Sequence, residues 1–258
     1  MKPISTFATI FALSAILFPV NAQTPERKLK FSGFEWRVKS GEKLGPGPNV
    51  WNPDNVFVDG KGFLHLKITS KNGQWSCAEI SSAKKFGFGT FQFQIVGRVD
   101  KFDPNIVLGL FTYPTPDVGG DTTNEIDIEF AHWGNAAYPI GNYTVWAPEK
   151  GVKQSSKTFE FLLEDDKTTQ RFHWKSESIL FQSLRGHAKS KKVKGVQEDN
   201  RENEKEYGRW LFSPADFKKG IPQKPVPVFL NLWLFGGKPP VDGKEVEIIV
   251  TKFTYTPQ

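Results

Sequence analysis

Apolar and polar residues alternate along this chain in short runs. Phe63-Leu64-His65-Leu66-Lys67-Ile68 and Thr90-Phe91-Gln92-Phe93-Gln94-Ile95-Val96 are two of them, and the same period recurs at 126–130, 143–146, 158–161, 171–174, 179–181, 228–233 and 245–250. A period of two sends successive side chains to opposite faces, so each run predicts a half-buried β-strand. Turn formers separate the runs at Asp59-Gly60-Lys61-Gly62, Lys71-Asn72-Gly73 and Asp242-Gly243-Lys244. No long segment shows a 3.6-residue period. The best helix signal is brief, with Ser213 as N-cap, Pro214 at the first position and Ala215-Asp216-Phe217 after it. Many short strands and little helix predict an all-β sandwich or jelly roll, and an aromatic content of 14% points the same way.

One run carries chemistry. In Glu125-Ile126-Asp127-Ile128-Glu129-Phe130 the three acids share one strand face, and the apolar residues pack behind it. Like charges so close raise at least one pKa. Two plainer readings compete: a solvated acidic face and a divalent metal site. The acids are consecutive on one face and their partners purely apolar, which weighs against the first. Acidic calcium sites usually sit on loops rather than strands, which weighs against the second. Two carboxyl groups, one ionised and one protonated, are what cleavage of a glycosidic bond requires.

The first residues read as an export leader. Lys2 supplies a positive start, residues 7–18 are almost wholly apolar, and Val20-Asn21-Ala22 fits a small-x-small cleavage site, so 1–22 is expected to be a signal peptide. The apolar run is shorter than the roughly 20 residues of a membrane span. About 236 residues would remain, enough to bury a core without staples. Cys77 is the single cysteine, which excludes an intramolecular disulfide. It lies in the strand-like run Trp75-Ser76-Cys77-Ala78-Glu79-Ile80 and reads as a buried structural thiol.

The net charge of +6 is local: Arg185, Lys189, Lys191, Lys192 and Lys194 form a basic cluster without acids. No aromatic residues interleave with them, so a nucleic-acid surface is not expected. The charge-rich segment 186–208 predicts a long surface excursion. His65, His173 and His187 lack zinc spacing, and no Gly-x-Ser-x-Gly elbow supports a serine hydrolase. Asn142-Tyr143-Thr144 is a glycosylation sequon, relevant only in a eukaryotic secretory path.

The Glu-x-Asp-x-Glu motif at Glu125, Asp127 and Glu129 resembles glycoside hydrolase family 16, in particular its bacterial β-glucanases. Trp75 to Ile80, then Phe86-Gly87-Phe88-Gly89-Thr90-Phe91, resemble the strand pair before the catalytic strand. Leu108 to Tyr113 resembles the strand just before it, Asn231-Leu232-Trp233 a late cleft strand, and Val246 to Tyr255 the closing strand. The likeness spans roughly residues 34–256. It implies a β-jelly-roll sandwich of two curved antiparallel sheets, concanavalin A-like, with residues 23–258 forming one catalytic domain. It implies a retaining mechanism, with Glu125 as nucleophile, Glu129 as general acid/base and Asp127 tuning both. The single residue Ile128 between Asp127 and Glu129 resembles the unbulged motif of lichenases and the xyloglucan-active branch. Lichenases usually place Trp two residues before the nucleophile, whereas this chain has Thr123; His132 and Trp133 are candidate substitutes, or a packed strand end.

Aromatic rings stack on the apolar faces of sugars. Trp51, Trp133, Trp146 and Trp233 are candidate platforms, while Trp36 and Trp174 are expected in the core. Asn231 is a candidate cleft residue, and by resemblance Glu79 is a sugar-hydroxyl ligand. No cofactor or catalytic metal is expected; a structural calcium ion on the convex side would fit the family, although no stretch marks its site. The expected partner is a polysaccharide, met by a secreted or periplasmic monomer that binds neither nucleic acid nor membrane. Three activities fit: an endo-β-glycanase, a transglycosylase on the same machinery, and a non-catalytic carbohydrate-binding jelly roll.

Overall fold

The computed structural model describes residues 26–188 and 205–258. The leader 1–22 lies outside the described residues, as does most of the basic cluster. In chain order the strands are β1 (Lys28–Phe31), β2 (Phe34–Val38), β3 (Gly41–Leu44), β4 (Asn49–Trp51), β5 (Val56–Val58), β6 (Leu64–Lys71), β7 (Gln74–Ser76), β8 (Ala78–Phe86) and β9 (Gly89–Val96). They continue with β10 (Ile106–Thr112), β11 (Glu125–Ala131), β12 (Gly141–Trp146), β13 (Ser155–Phe159), β14 (Lys167–Trp174), β15 (Ile179–Arg185), β16 (Glu206–Phe212), β17 (Val226–Leu234) and β18 (Val246–Pro257).

Two large antiparallel sheets face each other. The first runs β1-β2-β8-β17-β10-β11-β12-β13; the second runs β16-β15-β14-β9-β18-β6-β5, with β7 paired to β6. Their inner faces come from the alternation read in the sequence: Leu64, Leu66 and Ile68 of β6 point inward, as do Ile126, Ile128 and Phe130 of β11, all fully buried. Each such aliphatic side chain contributes about 1.5–3 kcal/mol by leaving water. Aromatic residues dominate between the sheets. Phe91 stacks on Phe172 at 4.6 Å, and Trp36 meets Phe253 edge-to-face at 5.5 Å. The indole N–H groups of Trp36 and Trp174 donate to the carbonyls of Phe31 and Pro222. Both tryptophans are core, as expected. Tyr143 of β12 bonds Ser183 of β15 at 2.7 Å, tying the sheets together through their hydroxyls.

Two local readings are corrected. The helix is α1 (Phe217–Gly220), one turn later than its signal, because Asp216 rather than Ser213 accepts the N-terminal hydrogen bond, from Lys219 N–H. The run at 158–161 pairs as β13 at Ser155–Phe159, with Thr158 opposite Asn142. The sequon residue Asn142 is buried inside β12, and its amide N–H₂ donates to the carbonyls of Ala131 and Ile140, so it offers no acceptor to a glycosylating enzyme in the folded chain.

Cys77 is buried as expected, and desolvation pushes its thiol up to about 12. Its backbone clamps the hairpin of β3 and β4: Cys77 N–H donates to Val50 O, and Asn52 N–H donates to Cys77 O. His65, His173 and His187 bond separately to Glu247, Thr90 and Ile95, so they form no joint ligand set.

Candidate active site

The outward face of the first sheet carries the acids. β11 pairs with β10 and β12 without any register shift from Glu125 to Ala131. An unbroken two-residue period therefore holds Glu125, Asp127 and Glu129 on one face, with no bulge at Ile128.

Register then assembles the neighbours. Across the strands, Glu79, Asn231, Gly109, Glu129 and Asn142 form one row. Ser81, Phe229, Phe111, Asp127 and Thr144 form the next. Trp146 stands directly opposite Glu125.

Gly109 opens space between the halves of the first row. A Cβ there would lie 2.5 Å from Asn231 Oδ1 and 3.3 Å from the Phe111 ring. Gly109→Ala is expected to fold with a loss of about 1–3 kcal/mol from overpacking and to lower kcat/KM on the order of tenfold by displacing the Asn231 amide. Melting temperature and kcat/KM measured together check this; parental kcat/KM would show that the site tolerates the displacement.

Burial governs the electrostatics. Asp127 is 3% exposed, and Glu125 and Glu129 are half-buried. Desolvation raises all three above the ordinary carboxylate range, Glu125 to about 8 and Glu129 to about 7. Trp146 Nε1 donates to Asp127 Oδ2 at 3.0 Å. Among the described residues no N–H or hydroxyl group is bonded to Asp127 Oδ1. The Asp127 and Glu125 carboxyls also act on each other side chain to side chain, which lowers Glu125 and raises Asp127. A proton shared by the two can sit on either: on Asp127 it leaves Glu125 ionised, on Glu125 it leaves Asp127 ionised.

The stability consequence has a definite sign. The unfolded chain releases the Glu125 proton near 4.5, while the folded chain keeps it to about 8. The folded state binds more protons in that window, so stability falls as pH rises through it. Glu125→Gln is expected to melt higher than the parent at pH 8, with the gap closing by pH 4. Thermal melts of both proteins across this range test the burial cost; a gap independent of pH would contradict it.

The other expected residues fall into two groups. Trp133, Trp146 and Asn231 reach the acidic face, and Trp233 lies on it by register but is 7% exposed, buried against Trp133 rather than open as a platform. Trp133 Nε1 donates to Asn142 Oδ1 at 3.3 Å, and Trp133, Trp233 and Phe235 cluster with ring centroids 5.7–6.4 Å apart. Trp51 does not serve as an open platform: it is 1% exposed, its indole donates to Leu44 O at 2.9 Å, and the Lys39 ammonium covers its ring at 4.2 Å. Glu79 reaches the row but is also buried, with one oxygen held by Lys39 and the other by Asn231. Thr123, at the position of the missing tryptophan, is buried and donates to Gly120 O.

Sequence reasoning passed over Phe111, Phe229 and Tyr113. Phe111 stacks on Phe229 at 5.4 Å and Tyr113 closes on Phe229 at 5.7 Å, forming a half-buried aromatic floor beside Asp127. Tyr113 donates its hydroxyl to Asp121 at 2.7 Å. The alternation of Gly109, Phe111 and Tyr113 along β10 was the available signal. Among the described residues no group of three or more His, Cys, Asp or Glu side chains is arranged to hold a metal ion, and no helix is long and apolar enough to cross a membrane.

A family model for glycosyl hydrolases family 16 matches residues 48–199, which include all three acids. The chain belongs to this family. Its fold is shared with solved structures of low sequence identity. The β-glucanase of Bacillus licheniformis superposes with a TM-score of 0.62 at 20% identity, covering 93% of this chain and 96% of that one. A prokaryotic β-1,3-1,4-glucanase (lichenase) derived from a mouse hindgut metagenome gives 0.58 at 23%, covering 86% and 93%. An immunostimulatory antigen and pseudo-β-1,3-glucanase of Mycobacterium tuberculosis gives 0.61 at 19%, covering 86% and 91%. A search of curated proteins finds no significant match. The two-sheet architecture is thus the jelly-roll sandwich of family 16.

Proposed function

We propose that this family 16 protein is an exported endo-β-glycanase that hydrolyses a β-glucan-like polysaccharide with retention of configuration. The observation that carries the reading is the unbulged register of β11, which sets Glu125, Asp127 and Glu129 on one face beside an aromatic floor. Glu125 attacks the anomeric carbon in the state where the shared proton sits on Asp127 and leaves Glu125 ionised. Glu129, holding its proton in a desolvated site, gives it to the departing oxygen. The glycosyl–Glu125 ester then meets water, from which Glu129 takes a proton; sugar, enzyme and charge are restored.

Retention requires carboxyl groups about 5–5.5 Å apart. Residues four apart on a strand have Cα atoms about 13 Å apart. Two glutamate arms leaning over the shorter Asp127 can bridge that difference. Family membership and the β-glucanase neighbours support the substrate class. Export rests on the expected leader.

The test is reducing-sugar release by residues 23–258 from lichenan, laminarin, xyloglucan and agarose, with Glu125→Gln alongside. Release from one polymer, lost in the variant, is expected and names the linkage. A fold neighbour described as a pseudo-glucanase keeps a binding role as the second reading; glycan binding without release by the parent would favour it. Longer products in the presence of added acceptor would instead indicate transglycosylation.

A further inference from the structure

A chain of polar contacts runs from outside the cleft into the row that holds Glu129. Lys39 follows β2, and its backbone N–H donates to Glu79 O at 3.0 Å. Its ammonium lies 2.8 Å from Glu79 Oε1, donates to Gly45 O at 2.5 Å, and covers the Trp51 ring. Glu79 is 5% exposed and accepts from Asn231 Nδ2 at 3.1 Å through its other oxygen. Asn231 is 2% exposed, and its Oδ1 has no partner among the described residues. That oxygen leans over Gly109, directly across from Glu129.

An amide presents an acceptor at one end and donors at the other, and what holds one end decides which faces outward. An ionised carboxylate only accepts. It therefore captures the Asn231 N–H₂ and turns the carbonyl to the cleft. A protonated Glu79 could donate to that carbonyl and let the amide turn over. Burial pushes Glu79 toward the protonated form, and the Lys39 cation opposes it.

We infer that Lys39 is a positioning residue which, through Glu79, fixes the Asn231 carbonyl as an acceptor for a free hydroxyl of the sugar bound beside Glu129. This deepens the glycanase reading and rests on it for the identity of the ligand. Lys39 reaches the substrate only through Glu79 and Asn231. A glycan alkylated or acylated at that hydroxyl is excluded, because the acceptor would be left unpaired.

The test separates binding from turnover. Affinity for a lichenan-derived tetrasaccharide is measured by calorimetry from pH 4 to 8 in the Glu125→Gln background, alone and with Lys39→Met, Lys39→Arg or Glu79→Gln. Among the described residues Lys39, Cys77 and Tyr113 are the charged or ionisable groups that interact with Glu79. Burial keeps the Cys77 thiol and Tyr113 phenol neutral throughout this range. Lys39→Met is expected to weaken binding about tenfold at pH 7, the loss of one charge-supported hydrogen bond, and to move the acid fall in affinity to higher pH. Lys39→Arg should keep the parental profile. Glu79→Gln should bind weakly at every pH, and it keeps the question answerable if Lys39→Met fails to fold. Unchanged affinity in Glu79→Gln or in folded Lys39→Met overturns the relay, whatever the parent's turnover. Tetrasaccharide binding with the expected variant pattern but no sugar release by the parent would sink the hydrolase reading and leave the relay standing. No tetrasaccharide binding at all would sink the relay and leave the glycanase reading to the polymer panel.

Discussion

Glu125→Ala is expected to lose more than about 10³-fold in turnover of the preferred polymer while remaining folded, since Glu125 is the carboxylate proposed to form the glycosyl ester. Removing a desolvated carboxyl relieves a burial cost, so loss of structure is not the expected cause. Azide supplies the control. It fits the space vacated by the side chain and attacks from the face Glu125 occupied, opposite the leaving oxygen. A β-linked aryl glycoside should therefore be turned over again with azide and give the α-glycosyl azide. A β-glycosyl azide would show that the nucleophile is still present and that Glu125 has another role.

Glu129→Ala should separate the two halves of the reaction. A glucan's sugar oxygen is a poor leaving group and needs a proton, so turnover of the polymer is expected to fall by about 10²–10⁴-fold. An aryl glycoside with an acidic phenol leaves unaided, and its first step should stay near the parental rate, visible as a burst of phenol. Here azide attacks the covalent intermediate and should give the β-glycosyl azide, the opposite outcome to Glu125→Ala. Equal losses on polymer and activated aryl glycoside would remove Glu129 from the acid role.

The strands and the acidic face were legible because a two-residue period is local information. β11 alone announces an apolar inner face and three acids outside, and the register with β10 and β12 keeps that arrangement intact. What the period cannot give is the partner strand. Phe111 and Phe229 become one stack only because β10 pairs with β17, which is far away in sequence. The Asn142 sequon is a local motif and carries no information on burial, which is set by β11 on one side and β13 on the other. Trp51 looked like a platform on composition alone; Lys39 and the β3–β4 hairpin cover it. The helix was displaced by one turn because Ser213 and Asp216 are both capping residues, and Asp216 takes the cap.

The central claim is that Glu125 and Glu129 carry out a double displacement on a β-linked glycan. The most direct measurement is proton NMR of the first reducing ends released by the parent protein, recorded before mutarotation. The double displacement predicts that the β-anomer appears first and then relaxes toward the equilibrium mixture. An initial α-anomer would mean a single displacement by water, with no ester at Glu125, and would contradict the account.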